Sequence, residues 1–123
     1  YNADGTLAWS RQIGTSRNEQ SEGVAVDAAG NVYISGSTAG SLAGPNAGSA
    51  DAFLTRYNAD GTLAWSRQIG TSSLDVSYGV AVDAAGNAYI GASTGGSLGG
   101  PNAGDPDAFL TRYNADGTLA WSR

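Results

Sequence analysis

The 123-residue chain contains no cysteine, histidine, methionine or lysine, so all six basic residues are arginine. Without cysteine and histidine there is no thiol nucleophile, no imidazole base, no disulfide framework and no zinc or haem site of the common kinds. Eleven acidic residues give a net charge of −5, which argues against nucleic acid as a partner. No apolar run approaches the ~20 residues of a membrane helix, and we expect no membrane span.

What the chain does have is glycine, at 19 positions, and a long internal repeat. Residues 1–56 and 57–112 are identical at 44 of 56 positions, and the first eleven residues return from Tyr113. The chain opens without methionine and inside a predicted hairpin, so we expect a window of a longer repetitive chain or a designed one. The differences between the copies fall at 17–20, 22, 32, 35, 36, 39, 43, 49 and 50.

Short β-branched runs and tight-turn sequences predict an all-β chain. Each full copy contains four predicted strands, at 23–27, 31–37, 51–57 and 62–69, then at 79–83, 87–93, 107–113 and 118–123. Alternation in the tryptophan strand places Leu63, Trp65 and Ile69 on one face. Four antiparallel strands per repeat are typical of a β-propeller blade. We therefore divide the chain into an outer strand of a preceding blade (1–14, strand 6–13), blade 1 (15–70) and blade 2 (71–123).

The string DAFLTRYNADGTLAWSRQIG, followed by GVAVDAAGNVYISGST, resembles the SBBP β-propeller repeat of secreted bacterial proteins. The NADGTLAW segment is also similar to blades of quinoprotein dehydrogenases, but no residues match those that hold the quinone and its calcium. The Gly-Val-Ala-Val-Asp run is similar to the innermost strand of NHL-type blades. These resemblances imply that 23–27 and 79–83 line the channel, that the tryptophan strands lie outermost, and that the protein is secreted or surface-displayed.

Two blades cannot close a propeller of four to eight, so we expect partners in the form of further copies of the repeat, within or between chains. Identical repeats make head-to-tail interfaces, which give rings or filaments. The alternative role for the tryptophans is sugar stacking, which their place in an alternating strand disfavours. The predicted inter-blade packing residues are Trp9, Trp65, Trp121, Phe53 and Phe109.

Nine of the twelve differences between the copies fall in long connections, which share one rim of the meander: 14–22, 38–50, 70–78 and 94–106. Two interpretations remain open for this long-loop rim: drift in solvated loops, or a binding surface for glycans or other surface components. The candidate binding residues on it are Arg17, Asn18, Glu19, Gln20, Leu74, Asp75 and Val76.

The acidic residues are the candidates for metal ligands and for catalytic groups. Asp27 and Asp60 lie at turns, Asp105 and Asp107 flank a proline, and none matches an EF-hand or nonapeptide calcium loop. We expect no cofactor, with calcium as the alternative. A glycosidase pair duplicated in every blade would be unusual, so we expect no enzyme. The sequence predicts a structural or adhesive propeller module, with a glycan- or small-ligand-binding module as the alternative.

Overall fold

A computed structural model describes all 123 residues and contains strands and turns without any helix. Two four-stranded antiparallel sheets follow one another, in the orders β1-β2-β3-β4 and β5-β6-β7-β8, and the all-β fold of two blades is confirmed. The strands are β1 (Glu19–Val26), β2 (Val32–Thr38), β3 (Asp51–Tyr57), β4 (Leu63–Ile69), β5 (Asp75–Val82), β6 (Ala88–Thr94), β7 (Asp107–Tyr113) and β8 (Leu119–Ser122). The structure has no helix that could span a membrane.

The tight hairpin turns depend on glycine at a left-handed backbone position. Gly30 between β1 and β2 has φ 84°, and Gly61 between β3 and β4 has φ 83°. The Asp27 carboxylate also holds its turn by accepting the backbone N–H groups of Ala29 and Asn31, each at 3.0 Å. The same glycines and aspartates recur in the second copy, which explains why this rim is unchanged between the copies.

The first strand of each blade begins earlier than predicted. A β-bulge between Ser21 and Gly23 allows pairing with β2 to resume and to continue as far as Glu19 opposite Thr38. The matching bulge lies between Ser77 and Gly79. Glu19, Gln20, Asp75 and Val76, which we predicted in loops, therefore lie in strands.

The alternation predicted for the tryptophan strand is wrong at its first residue. A register shift opposite Arg56 and Tyr57 pairs Trp65 with Arg56 and Leu63 with Tyr57. Leu63 therefore leaves the face that carries Trp65, and it remains 57% exposed.

Residues 6–13, predicted as an outer strand, form no strand in the structure. The same peptide pairs with β3 in its second copy and with β7 in its third. Among the described residues, the two copies of the strand that begins Asp-Ala-Phe, β3 and β7, pair with β4 and β8. Residues 6–13 have no third copy to pair with, so they form no strand.

The two blades pack face to face, with β5 against β1 and β2. Strand register divides each blade into two faces. One face is named the donor face, because its side chains donate hydrogen bonds to the next blade, and the other is named the acceptor face. In blade 1 the donor face carries Tyr33, Leu54, Arg56, Trp65 and Arg67. It covers the acceptor face of blade 2, which carries Val80, Ile90, Phe109 and Tyr113, together with the turn 114–117.

Candidate functional site: the blade faces and the long-loop rim

The contact between the blades is an apolar core that neither blade could form alone. Its larger cluster joins Tyr33, Leu54 and Trp65 of blade 1 to Ala88, Ile90 and Tyr113 of blade 2. A smaller cluster joins Ala52 to Ala92 and Phe109. Leu54 and Ile90 are fully buried, so the inter-blade contact is packed like a protein interior.

Trp65 lies near the centre of this contact and is only 9% exposed. Its ring meets Tyr33 edge-on at 6.1 Å and Tyr113 at 6.4 Å between centroids. Its indole Nε1–H donates to the Ala115 carbonyl at 3.2 Å. A Cβ added at Gly117 would come within 2.8 Å of the ring, so glycine at that position is required both by this approach and by its φ of 84°. Burial leaves no ring face free for a sugar.

Arginines bind the turn of the neighbouring blade, and sequence reasoning did not identify them. The Arg67 Nε–H donates to the Gly117 carbonyl at 2.6 Å, and Arg56 donates to the Ala115 carbonyl at 3.0 Å. The Tyr33 hydroxyl lies 3.2 Å from the Gly86 carbonyl on the same rim. These donors satisfy turn carbonyls that a covering blade would otherwise strip of water.

A sequence signal for these arginines exists. Arg11, Arg67 and Arg123 recur at the period, as do Arg56 and Arg112, whereas Arg17 is replaced by Ser73. Retention of a long, permanently charged side chain at a fixed position of each repeat is better explained by a fixed carbonyl partner than by solubility alone.

The segment before β1 uses the same contacts on blade 1. The Trp9 Nε1–H donates to the Ala59 carbonyl at 3.0 Å, and the Arg11 Nε–H donates to the Gly61 carbonyl at 2.6 Å. The Trp9 ring lies 6.1 Å from Tyr57. Although the segment is not a strand, its side chains dock on blade 1 as those of β4 dock on blade 2.

The donor face of blade 2 has the same residue types and no neighbour. Leu110 is 43% exposed, and Tyr89 and Trp121 are half-buried and in contact with each other at 6.3 Å. The Nε–H groups of Arg56 and Arg112 are both buried without a partner, but only Arg56 also donates to a turn carbonyl, that of Ala115. At the opposite end, Val24 and Val26 on the acceptor face of blade 1 are 68% and 61% exposed.

The two predicted phenylalanines have different surroundings. Phe109 lies between the blades, against Ala52. Phe53 pairs with Gly36 and Gln68, on the face of blade 1 that points away from blade 2, where it is 2% exposed. Phe53 therefore does not contribute to the contact between these two blades.

The long-loop rim is less uniform than predicted. Arg17, Asn18 and Gln20 are exposed, Leu74 is 55% exposed, and Val76 is half-buried. Asp75 is fully buried, so it cannot be a surface ligand contact as the sequence suggested. The structural reason is the bulged strand β5, which turns Asp75 inward opposite Thr94.

Glu19 and Asp75 hold the connection that precedes their strands. Glu19 Oε2 accepts the Thr15 N–H at 2.9 Å, and Glu19 Oε1 accepts the hydroxyls of Thr15 and Thr38. Asp75, one methylene shorter, accepts only from Thr71, and its Oδ1 has no partner. Hydrogen bonds from Thr15 lower the pKa of Glu19 below its ordinary value of 4.5.

An open groove of about 830 Å³ follows the rim between the start of blade 1 and the start of blade 2. Its polar lining includes Gln12, Arg17 and Gln20, and its apolar lining includes Leu74 and Val76. The structure thus brings together candidate residues from both copies on one surface.

The turn carboxylates act within their own turns. Hydrogen bonds from Thr62 lower the pKa of Asp60, and those from Asn87 lower the pKa of Asp83. No three acidic side chains converge in a way that could hold a metal ion. These carboxylates therefore stabilise the turns in which they lie.

Comparison with known proteins agrees with this geometry. The model of the SBBP family, described as a beta-propeller repeat, matches residues 8–43 and 64–103. The chain is also 29% identical, over 95% of its length, to the "Regulatory protein FlaEY" of Caulobacter vibrioides. It spans only 14% of the length of that relative.

Proposed function

This chain belongs to the family of SBBP β-propeller repeats, and we propose that it is a structural or adhesive module that assembles by blade-to-blade packing into a ring or filament. Family membership, with its association with secreted bacterial proteins, supports an extracellular or cell-surface location. In this proposal the chain acts through repetition and has neither an active site nor a cofactor.

The observation that carries the proposal is a pair of matching faces at the two ends of the molecule. The donor face of blade 2 is uncovered, and the acceptor face of blade 1 is covered only in part, by the segment before β1. The donor face of blade 2 repeats Tyr89, Leu110, Arg112 and Trp121 in the positions that blade 1 uses for contact. The acceptor face of blade 1 carries Val24, which is exposed, whereas its counterpart Val80 in blade 2 is covered. Each end of the molecule is thus complementary to the other end of a second copy, which is the geometry of a head-to-tail interface.

The strength expected of such a contact follows from its apolar content. A leucine or an aromatic side chain of this size contributes roughly 1.5–3 kcal/mol when it passes from exposed to fully buried. Apolar groups of this kind, uncovered at both ends, favour a further blade or a second copy over solvent.

The test is the mass in solution across a range of concentrations, measured by light scattering. Leu110→Glu places a charge at the centre of the free donor face and should leave the protein monomeric, because the charge would be buried in the contact. Leu63→Glu is the control, because its counterpart Leu119, which lies on the covered acceptor face of blade 2, stays 52% exposed there. A wild-type chain that remains monomeric at high concentration would contradict the proposal.

The second candidate is a glycan- or small-ligand-binding module, and the groove of about 830 Å³ favours it. Amide and guanidinium groups beside apolar side chains suit hydroxylated ligands. The experiment replaces Arg17, Asn18 and Gln20 by the residue types of Ser73, Leu74 and Val76, and compares both proteins on a glycan array. Glu19 is retained because it holds Thr15 and Thr38. Binding altered at an unchanged melting temperature supports this candidate, and array signals that are absent from both proteins count against it.

A further inference from the structure

The groove along the long-loop rim contains one cationic side chain that is not engaged elsewhere. Arg17 is the only arginine whose guanidinium group has neither a hydrogen-bond partner nor an aromatic ring beneath it. The Arg17 side chain is exposed and lines the open groove of about 830 Å³. The groove therefore offers a guanidinium group that is available to pair with a ligand anion.

The same groove has an apolar ledge, formed by Leu74 and Val76 at the start of blade 2. Leu74 is 55% exposed, and Val76 is half-buried. The corresponding residues at the start of blade 1 are polar, namely Asn18 and Gln20. Two polar positions of one copy are thus aliphatic in the other, and the exposed carbons would be stabilised by contact with an apolar group.

These positions stay accessible beside a neighbouring blade. Asn18 and Gln20 are exposed although blade 2 covers the donor face of blade 1. Ser73, the counterpart of Arg17, is half-buried, and Leu74 is exposed, although blade 1 precedes both. Packing between blades therefore leaves the guanidinium position and the apolar ledge open to a ligand.

The groove is also where the two copies diverge most. Of the twelve positions that differ between the copies, six line the groove: 17–20, 39 and 50. The turn residues of the opposite rim are the same in both copies. A surface that changes on a retained framework is typical of loops that carry a binding site.

The lining residues indicate the class of ligand. No aromatic side chain lines the groove, so it lacks the flat apolar surface on which a sugar ring would stack. An aliphatic ledge suits an alkyl group, and a guanidinium group binds a carboxylate through two parallel N–H donors. Glu19 lines the groove as well, but its carboxylate already accepts three hydrogen bonds, from Thr15 and Thr38.

We propose that the groove binds a small amphiphilic carboxylate, with the carboxylate of the ligand on Arg17 and its alkyl chain on Leu74 and Val76. The proposal rests on the second candidate function above and names its class of small ligand. It does not depend on assembly, because all the residues that it uses belong to one chain.

The first experiment compares three ligands on the wild-type chain by isothermal titration calorimetry. Octanoate carries both groups, octanol lacks the carboxylate, and glucuronate lacks the alkyl chain. We expect octanoate to bind about tenfold more tightly than either of the others, because each of them loses one of the two contacts. Octanol that binds as tightly as octanoate would remove Arg17 from the site, and glucuronate that does so would remove the apolar ledge. Either result overturns the proposal.

Two variants test the same contacts from the side of the protein. Arg17→Gln should weaken octanoate binding about tenfold, and Leu74→Asn, which copies blade 1 at this position, about fivefold. Leu63→Asn is the matched control, because Leu63 is 57% exposed and lies outside the groove. All three variants should keep the wild-type melting temperature, because each replaces an exposed side chain. Octanoate binding that neither groove variant changes overturns the site.

The glycan array separates failure of this proposal from failure of the second candidate function. Array signals that change when Arg17, Asn18 and Gln20 are replaced, without octanoate binding to the wild type, preserve a glycan-binding module and overturn the aliphatic ligand. Absence of both octanoate binding and array signals overturns both. Leu110→Glu, which should block head-to-tail packing, should bind octanoate as the wild type does. Loss of octanoate binding in that variant would place the ligand at the blade contact and contradict the proposal.

Discussion

The two blades have nearly the same sequence and different burial. Leu54 of blade 1 is fully buried, whereas its counterpart Leu110 is 43% exposed. On the other face the order reverses, since Val24 is 68% exposed and its counterpart Val80 packs against the core. The difference arises from the neighbour that covers each face, because the residues themselves are the same. In a repeat protein the stability of a side chain is therefore a property of the contact between repeats.

The largest difference in unfolding free energy between equivalent positions of the two blades should come from replacing tryptophan. Trp65→Ala removes a ring that is 9% exposed and fixed between two tyrosines, and we expect a loss of about 3–5 kcal/mol in the free energy of unfolding. Trp121→Ala, on the uncovered face, should cost about 1–2 kcal/mol in the monomer. Urea unfolding at a concentration where the protein is monomeric measures both. Equal losses would mean that the neighbouring blade does not determine the contribution of the ring.

Leu54 and Leu110 allow the same comparison between the blades to be made with a smaller side chain than tryptophan. Leu54→Ala should cost about 2–4 kcal/mol, because it leaves a cavity between the blades. Leu110→Ala should cost under about 1 kcal/mol in the monomer, since much of that side chain is already in water. Both values come from the same denaturant titrations. When the protein assembles, the cost at Leu110 should rise towards that at Leu54, and a cost that stays constant with concentration would argue against a buried donor face.

Sequence reasoning predicted the elements better than their environment. Alternation and turn chemistry located all eight strands, because the signals at Gly30 and Gly61 are local. The bulges at Ser21/Gly23 and opposite Arg56/Tyr57 were missed, since a bulge depends on the partner strand and leaves no mark in the alternation of one strand. That omission caused the errors at Glu19, Asp75 and Leu63.

In the candidate site, too, features set by the local sequence were predicted, and features that depend on a distant partner were not. The tryptophans were identified from their place in a strand, but the carbonyl partners of Arg56 and Arg67 lie 50 or more residues away, across the blade contact. Nor could alternation tell which phenylalanine faces the partner blade. Phe53 and Phe109 have identical sequence neighbours and differ only in which surface covers them.

The third prediction concerns Tyr113, at the covered acceptor face. Burial raises its pKa from 10.0 to about 12. Since the folded protein holds the phenol proton more tightly than the unfolded chain, stability is fully present below pH 10 and is lost as pH rises towards 12. The shift corresponds to roughly 2–3 kcal/mol. Tyr113→Phe should therefore flatten the stability profile between pH 10 and 12, as measured by urea unfolding at several pH values. Parallel profiles for the two proteins would exclude Tyr113 as the titrating group.

The smallest expected effect on stability concerns the carboxylate at the start of each blade, which is Glu19 in blade 1 and Asp75 in blade 2. Asp75 is too short to reach the Thr94 hydroxyl, which donates instead to the Gly96 carbonyl, and Asp75 Oδ1 stays unpaired. Asp75→Glu should copy the Glu19 arrangement in blade 2, bind both threonines, and stabilise the protein by about 1 kcal/mol. The reverse change, Glu19→Asp, should lower the melting temperature, because the Thr38 contact is lost.

The dependence on pH separates this explanation from a simple change in packing. The threonine hydrogen bonds lower the pKa of Glu19, so its contribution is present above pH 4.5 and is lost as pH falls through the folded value. The difference in melting temperature between wild type and Glu19→Asp should then narrow on acidification below pH 4.5. A difference that stays constant down to pH 2 would assign the effect to the methylene group and its packing, and the two blades would then differ at this position in shape alone.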